Sequence, residues 1–80
     1  MPTPTRRYTV STDNSFYTVE EFRGGFRVVK DAHKKGSLKV GTVYEGDEIT
    51  LGKGKPLWLF RNDRAVLKTS IVRSITEVPS

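Results

Sequence analysis

Turn-forming clusters interrupt this chain about every six to twelve residues, and that punctuation limits the fold more than any other feature. The clusters are Asp13-Asn14-Ser15, Arg23-Gly24-Gly25, Asp31 to Ser37, Tyr44-Glu45-Gly46-Asp47, Gly52-Lys53-Gly54-Lys55 and Asn62-Asp63-Arg64. No segment between them is long enough for a helix of more than two turns. The segments are rich in Val, Ile, Thr, Tyr and Phe, which suit a pleated, half-buried surface. The spacing predicts an all-β chain of about seven or eight short strands, arranged as a small antiparallel barrel or half-open roll of SH3-like or OB-like type. Residues 6–78 are expected to form the single domain, with residues 1–5, which contain two prolines, as a disordered tail and 79–80 as a short tail.

Tyr8-Thr9-Val10 and Tyr17-Thr18-Val19 flank the first turn as a hairpin. At the second turn, a three-residue loop Arg23-Gly24-Gly25 with Gly25 at positive φ would place Phe22 opposite Phe26 and Glu21 opposite Arg27. A two-residue Gly24-Gly25 loop would pair Phe22 with Arg27 instead, and the first register is preferred because it keeps the aromatics together. It puts Phe22, Phe26 and Val28 on one face and Val19 and Val29 on the other. Apolar residues on both faces call for a strongly curved or closed sheet. Leu38 to Val43 reads as a strand with a bulge or bend at Gly41. Tyr44 to Asp47 reads as a turn, and Pro56 heads the strand Leu57 to Arg61. The crowded Ile71, Val72 and Ile75 fit one turn of helix or a bent strand.

Alternation in Leu57-Trp58-Leu59-Phe60 sends Leu57 and Leu59 to one face and Trp58 and Phe60 to the other, so one pair is core. Large aromatics in an eighty-residue domain mostly serve the core, which favours Trp58 inside and leaves Tyr8 and Tyr17 as the candidates for exposed base stacking. The other pair would form an apolar surface for a partner or lie under the terminal segments.

Charge is just as localised. Residues 23–40 carry Arg23, Arg27, Lys30, Lys34, Lys35 and Lys39 against Asp31 alone, equal to the whole formal net charge of +5. A basic surface of this kind steers polyanions or acidic proteins towards it. Lys53 and Lys55 join it if the glycine-lysine loop folds alongside. That loop is not a phosphate loop, because the glycine spacing is wrong and Pro56 and a strand follow it where a helix is needed. Glu45, Asp47 and Glu48 are too close together for a calcium loop, whose ligands spread over about twelve residues. His33 is the only histidine and there is no cysteine, so neither a zinc set nor a nucleophile with an oriented base is in evidence. The expectation is a non-enzymatic protein with no metal and no cofactor. No apolar run approaches the ~20 residues of a membrane-spanning helix and no signal sequence is present, so no membrane partner and a cytoplasmic location are expected.

The hairpin Tyr8 to Val19 and the tail Leu67-Lys68-Thr69-Ser70-Ile71-Val72-Arg73-Ser74-Ile75 resemble small barrel-like proteins encoded by bacteriophages. That resemblance covers about a quarter of the chain, implies a role in host takeover or counter-defence, and carries over no site residue. Two readings follow. The first is a basic module that contacts nucleic-acid backbone through residues 23–40. The second is a protein-binding module, such as a phage-encoded inhibitor or modulator docking on an acidic host protein. An open strand edge would favour the second, or a homodimer, through β-augmentation.

Overall fold

The structure, a computed structural model, describes residues 4–33 and 41–78. Those residues form seven strands and no helix: β1 (Arg6–Thr12), β2 (Ser15–Phe22), β3 (Gly25–His33), β4 (Val43–Gly46), β5 (Glu48–Thr50), β6 (Pro56–Arg61) and β7 (Arg64–Val78). All pairings are antiparallel, in the order β4-β3-β2-β1-β7-β6-β5. The first and last members, β4 and β5, are joined in sequence through Asp47, whose backbone N–H donates to the Phe60 carbonyl at 2.9 Å. The sheet therefore curls round on itself into a half-barrel, as a small barrel or roll requires.

Two strands make the curl. β7 pairs with β6 from Arg64 to Ile71 and with β1 from Val72 to Val78, so its fifteen residues serve both halves of the sheet. At the crossover its register slips against both neighbours, between Ser11 and Thr12 on β1 and between Pro56 and Trp58 on β6. Bulges of this kind bend and twist a strand. The slip leaves the Leu57 N–H without a ladder acceptor, and the buried Thr69 hydroxyl accepts from it at 3.0 Å. The other corner lies at Gly46, where a Cβ would meet the Phe60 carbonyl oxygen at 2.4 Å. Only a residue without a side chain permits that approach.

Alternation fills the interior. Val10, Tyr17, Val19, Val28, Leu57, Leu59 and Val72 form the core, with Tyr8, Phe26, Tyr44, Ile49, Leu51 and Leu67 packed against it. Full burial of a Val or Leu side chain stabilises by about 1.5–3 kcal/mol, so this small cluster supplies the main cohesion of the domain. At the first turn the buried Thr12 hydroxyl accepts from the backbone of Ser15 at 3.0 Å and donates to the Ser15 carbonyl at 3.0 Å. Asn62 and Asp63, with φ of 52° and 66°, form the two-residue turn between β6 and β7, as Asn and Asp tolerate left-handed backbone. Thr5, expected in the disordered tail, donates its backbone N–H to the Glu21 carbonyl at 2.7 Å.

Several sequence expectations are corrected. The second turn is the two-residue loop Arg23-Gly24, with Phe22 opposite Gly25 and Glu21 opposite Phe26. Val19, Phe26 and Val28 consequently point inward, while Phe22 and Val29 lie on the outer face. Gly25 is needed for space, since a Cβ there would stand 2.5 Å from the Gly46 carbonyl oxygen. Tyr44 to Gly46 is strand, with the chain bending at Asp47. Gly41, at φ 85°, sits in the turn before β4 and donates to the Lys30 carbonyl at 2.6 Å; residues 38–40 of the expected strand lie outside the described residues. The last segment is bent strand throughout. Trp58 is on the outer face, and Leu57 and Leu59 are the core pair.

Candidate nucleic-acid interface

Strand pairing decides which cations are available. On the outer face of β1 to β4, register places Arg7 opposite Glu20, Glu20 opposite Arg27 and Arg27 opposite Glu45. The row alternates in sign across four strands. Glu20 receives Arg7 Nη2 at 2.9 Å and Arg27 Nη1 at 3.7 Å, and the Arg27 guanidinium also lies over the Phe22 ring, 5.1 Å from its centre. Arg27 is therefore already engaged within the protein. Lys30 is half-buried, its backbone bonded to Gly41 and Thr42. Lys34, Lys35 and Lys39 lie outside the described residues.

Arg23 is exposed at the β2–β3 tip. It shares a cleft of about 570 Å³ with Phe22, Arg27, Arg61 and Asn62, and Glu45 and Asp47 line the same cleft. Asp47 accepts from the Asn62 backbone N–H at 3.2 Å, which fastens the β6–β7 turn to this end. The mixed charge of the cleft weakens its attraction for a polyanion. Lys53 and Lys55 are exposed at the opposite end of β6. Their loop is held by Gly54 N–H to the Val72 carbonyl at 2.8 Å and by Val72 N–H to the Lys55 carbonyl at 2.9 Å. Val72 pairs with Thr12, near Ser15, which faces His33. This loop thus accompanies the far end of β3 and not Arg23.

The stacking candidates are corrected as well. Tyr17 is only 5% exposed and belongs to the core, where burial pushes its hydroxyl above the ordinary pKa of 10.0 against a hydrogen bond to Ser15 that lowers it. Tyr8 is half-buried and packs against the same core.

The outer face of β5, β6 and the first half of β7 is different. Trp58 and Phe60, two residues apart on β6, project outward with ring centres 5.9 Å apart and planes 13° from parallel. Lys68, opposite Trp58 on β7, holds its Nζ 4.9 Å from the centre of the Trp58 ring. Val66 and Ile71 beside them are 39% and 38% exposed. Arg61 and Arg64 face each other at one end of β6, and Lys55 precedes Pro56 at the other. At ~3.3 Å per residue the six residues of β6 span about 20 Å, so aromatic rings run between two cationic ends. Glu48, opposite Phe60, is the acidic residue paired directly with the aromatic strip.

Sequence reasoning therefore missed Arg61, Arg64 and Lys68, and misassigned Trp58. The signal for Trp58 was present in the parity of Leu57 to Phe60, but choosing the inner pair required knowing what each face meets. No family model, curated protein or solved structure matches this chain.

Proposed function

We propose that this protein is a non-enzymatic module that binds single-stranded nucleic acid along the outer face of β6. Trp58 and Phe60 supply the stacking surface, and Lys68, Arg64, Arg61 and Lys55 contact phosphates. The observation that carries this reading is the pair of near-parallel aromatic rings on an outward strand face, with a lysine against one of them. Single-strand binders combine ring faces that accept any base with cations that follow the backbone. Lys68 keeps the Trp58 ring covered in the free protein; a base that takes its place leaves the ammonium beside the incoming phosphate.

Trp58 is the only tryptophan, so its emission reports directly on this face. Titration with labelled single-stranded oligonucleotides at ~0.15 M salt is expected to quench it, with affinity better than about 10⁻⁴ M and a log–log salt slope of about −3 for about four phosphates. Duplex of the same sequence should bind more weakly, because its bases are not free to stack. Unchanged emission together with no binding above that threshold defeats the proposal.

The exposed Val66 and Ile71 next to the rings favour a second reading, a protein partner on the same face. In that case emission responds to the protein partner and not to oligonucleotide.

A further inference from the structure

The β6 ladder on β7 stops at Ile71, and the β5–β6 loop adds bonds only to Val72. Beyond that point residues 74–78 have β1 on one side and, among the described residues, no strand on the other, while Arg73 is the extra residue of the bulge opposite Ser11 and Thr12. Arg73, Ser74, Ile75, Thr76 and Glu77 are all exposed, Ile75 by 36%. In an antiparallel ladder the backbone N–H and C=O groups point alternately to either side, so about half of those in this stretch face outward. Natural edge strands are usually blunted with proline, lysine or a covering segment. Residues 73–78 contain neither proline nor lysine.

Beside this edge lies a groove of about 390 Å³, where the half-barrel is open. It is lined by Tyr8, Val19, Glu21, Phe26, Ile49, Leu51 and Ile75. Ile75 and Glu77 stand opposite Val10 and Tyr8 on the groove side, whereas Ser74 and Thr76 stand opposite Ser11 and Thr9 on the outer face.

We propose that this edge pairs with the same edge of a second copy of the chain, antiparallel and centred on Ile75. In that register Ile75 meets Ile75 of the second copy, Arg73 meets its Glu77, and Ser74 meets its Thr76. Each pairing matches in chemistry: apolar with apolar over the open groove, cation with anion, hydroxyl with hydroxyl. Such cross-strand matches stabilise an antiparallel pair, and a two-fold axis repeats each of them. Arg73 already holds Asp13 through Nη2 at 3.1 Å, but its planar guanidinium carries five N–H donors, enough to serve a second carboxylate. The product is one continuous sheet running through β1 and β7 of both copies, with the two Ile75 side chains closing the grooves. The aromatic strip on β6 stays free, so this inference does not depend on nucleic-acid binding.

Sedimentation velocity of the full chain over micromolar to sub-millimolar concentrations tests it. A concentration-dependent dimer is expected. Ile75→Lys places two like charges on the axis and should raise the dimer dissociation constant by roughly tenfold or more, with circular dichroism confirming a retained fold. Should that variant fail to fold, the exposed charge pair carries the test: Arg73→Glu and Glu77→Arg are each expected to dimerise poorly alone, yet to form a heterodimer when mixed. A wild-type protein that stays monomeric throughout overturns the proposal. So does a dimer indifferent to Ile75→Lys and Glu77→Arg, or a mixture of the two charge variants that fails to associate.

Discussion

The outer faces of the two halves of the sheet use similar residue types to opposite ends. Across β1 to β4, Arg7, Glu20, Arg27 and Glu45 alternate in sign, and the basic residues of that face are held by carboxylates and by the Phe22 ring. Across β5, β6 and the start of β7, Lys68 lies against the Trp58 ring beside Phe60, and Arg61 and Arg64 face each other at the end of β6, where Arg61 also lines the mixed-charge cleft. Arg27, from the sequence-local basic cluster, is thus paired within the protein, whereas Lys68, outside that cluster, lies on the aromatic strip. Charge per segment measures composition. Charge per face depends on register, which is a tertiary property.

Breaking the support common to both faces should have the largest effect. Leu59→Ala empties a fully buried position on the strand that carries the aromatic strip, and is expected to cost about 2–5 kcal/mol in chemical denaturation. Trp58→Ala strikes one face alone. It should weaken single-stranded oligonucleotide binding by ~1–3 kcal/mol while leaving the core intact, and a proportionate loss of stability would show that the ring is structural. Glu20→Gln works on the other face by releasing Arg7 and Arg27. It should lower stability by only about 0.2–1 kcal/mol, as expected for partly exposed ion pairs, and give that face weak polyanion binding at low salt which vanishes near ~0.15 M.

The smallest effect concerns Tyr17, beneath the neutralised face. Its hydroxyl is raised above 10.0 by burial, so below that pH both folded and unfolded chains keep it protonated and it adds no pH dependence. As pH rises past 10.0 the unfolded chain ionises first, and stability falls until the folded state also titrates. Tyr17→Phe should remove this part of the alkaline loss; a melting temperature that declines equally in both proteins above pH 10 would place its cause elsewhere.

Among the described residues, the strand count, the absence of helix and the Asn62-Asp63 turn were legible because they rest on local punctuation and on residues that tolerate left-handed backbone. The register at Arg23-Gly24 was not. Two adjacent glycines permit several loops, and the deciding contact is the main chain of Gly46 against Gly25, which no local pattern announces. The reading of Tyr44 to Asp47 as a turn failed for a related reason: its turn-forming residues are used for a bend inside a continuous path from β4 to β5. Parity in Leu57 to Phe60 separated the two faces correctly, but preferring the larger aromatics for the core reversed inside and outside. A curled sheet this small has room for Leu57 and Leu59 there, while Tyr17 enters from β2.

The pairing of β1 with the end of β7 also sets the tempo of assembly. Asp13 and Arg73, which clasp this seam, are sixty positions apart. Hairpins β1–β2, β2–β3 and β6–β7 need only short loops and can form on the microsecond scale, but the seam must wait for a long stretch of chain to be drawn together. Its ordering entropy is lost before its contacts are gained, which places this domain among the slower-folding small proteins. Until the seam shuts, Val10 has no cover from Ile75. The slowest step in forming the barrel is therefore also the interval in which its core lies open to water and to other chains.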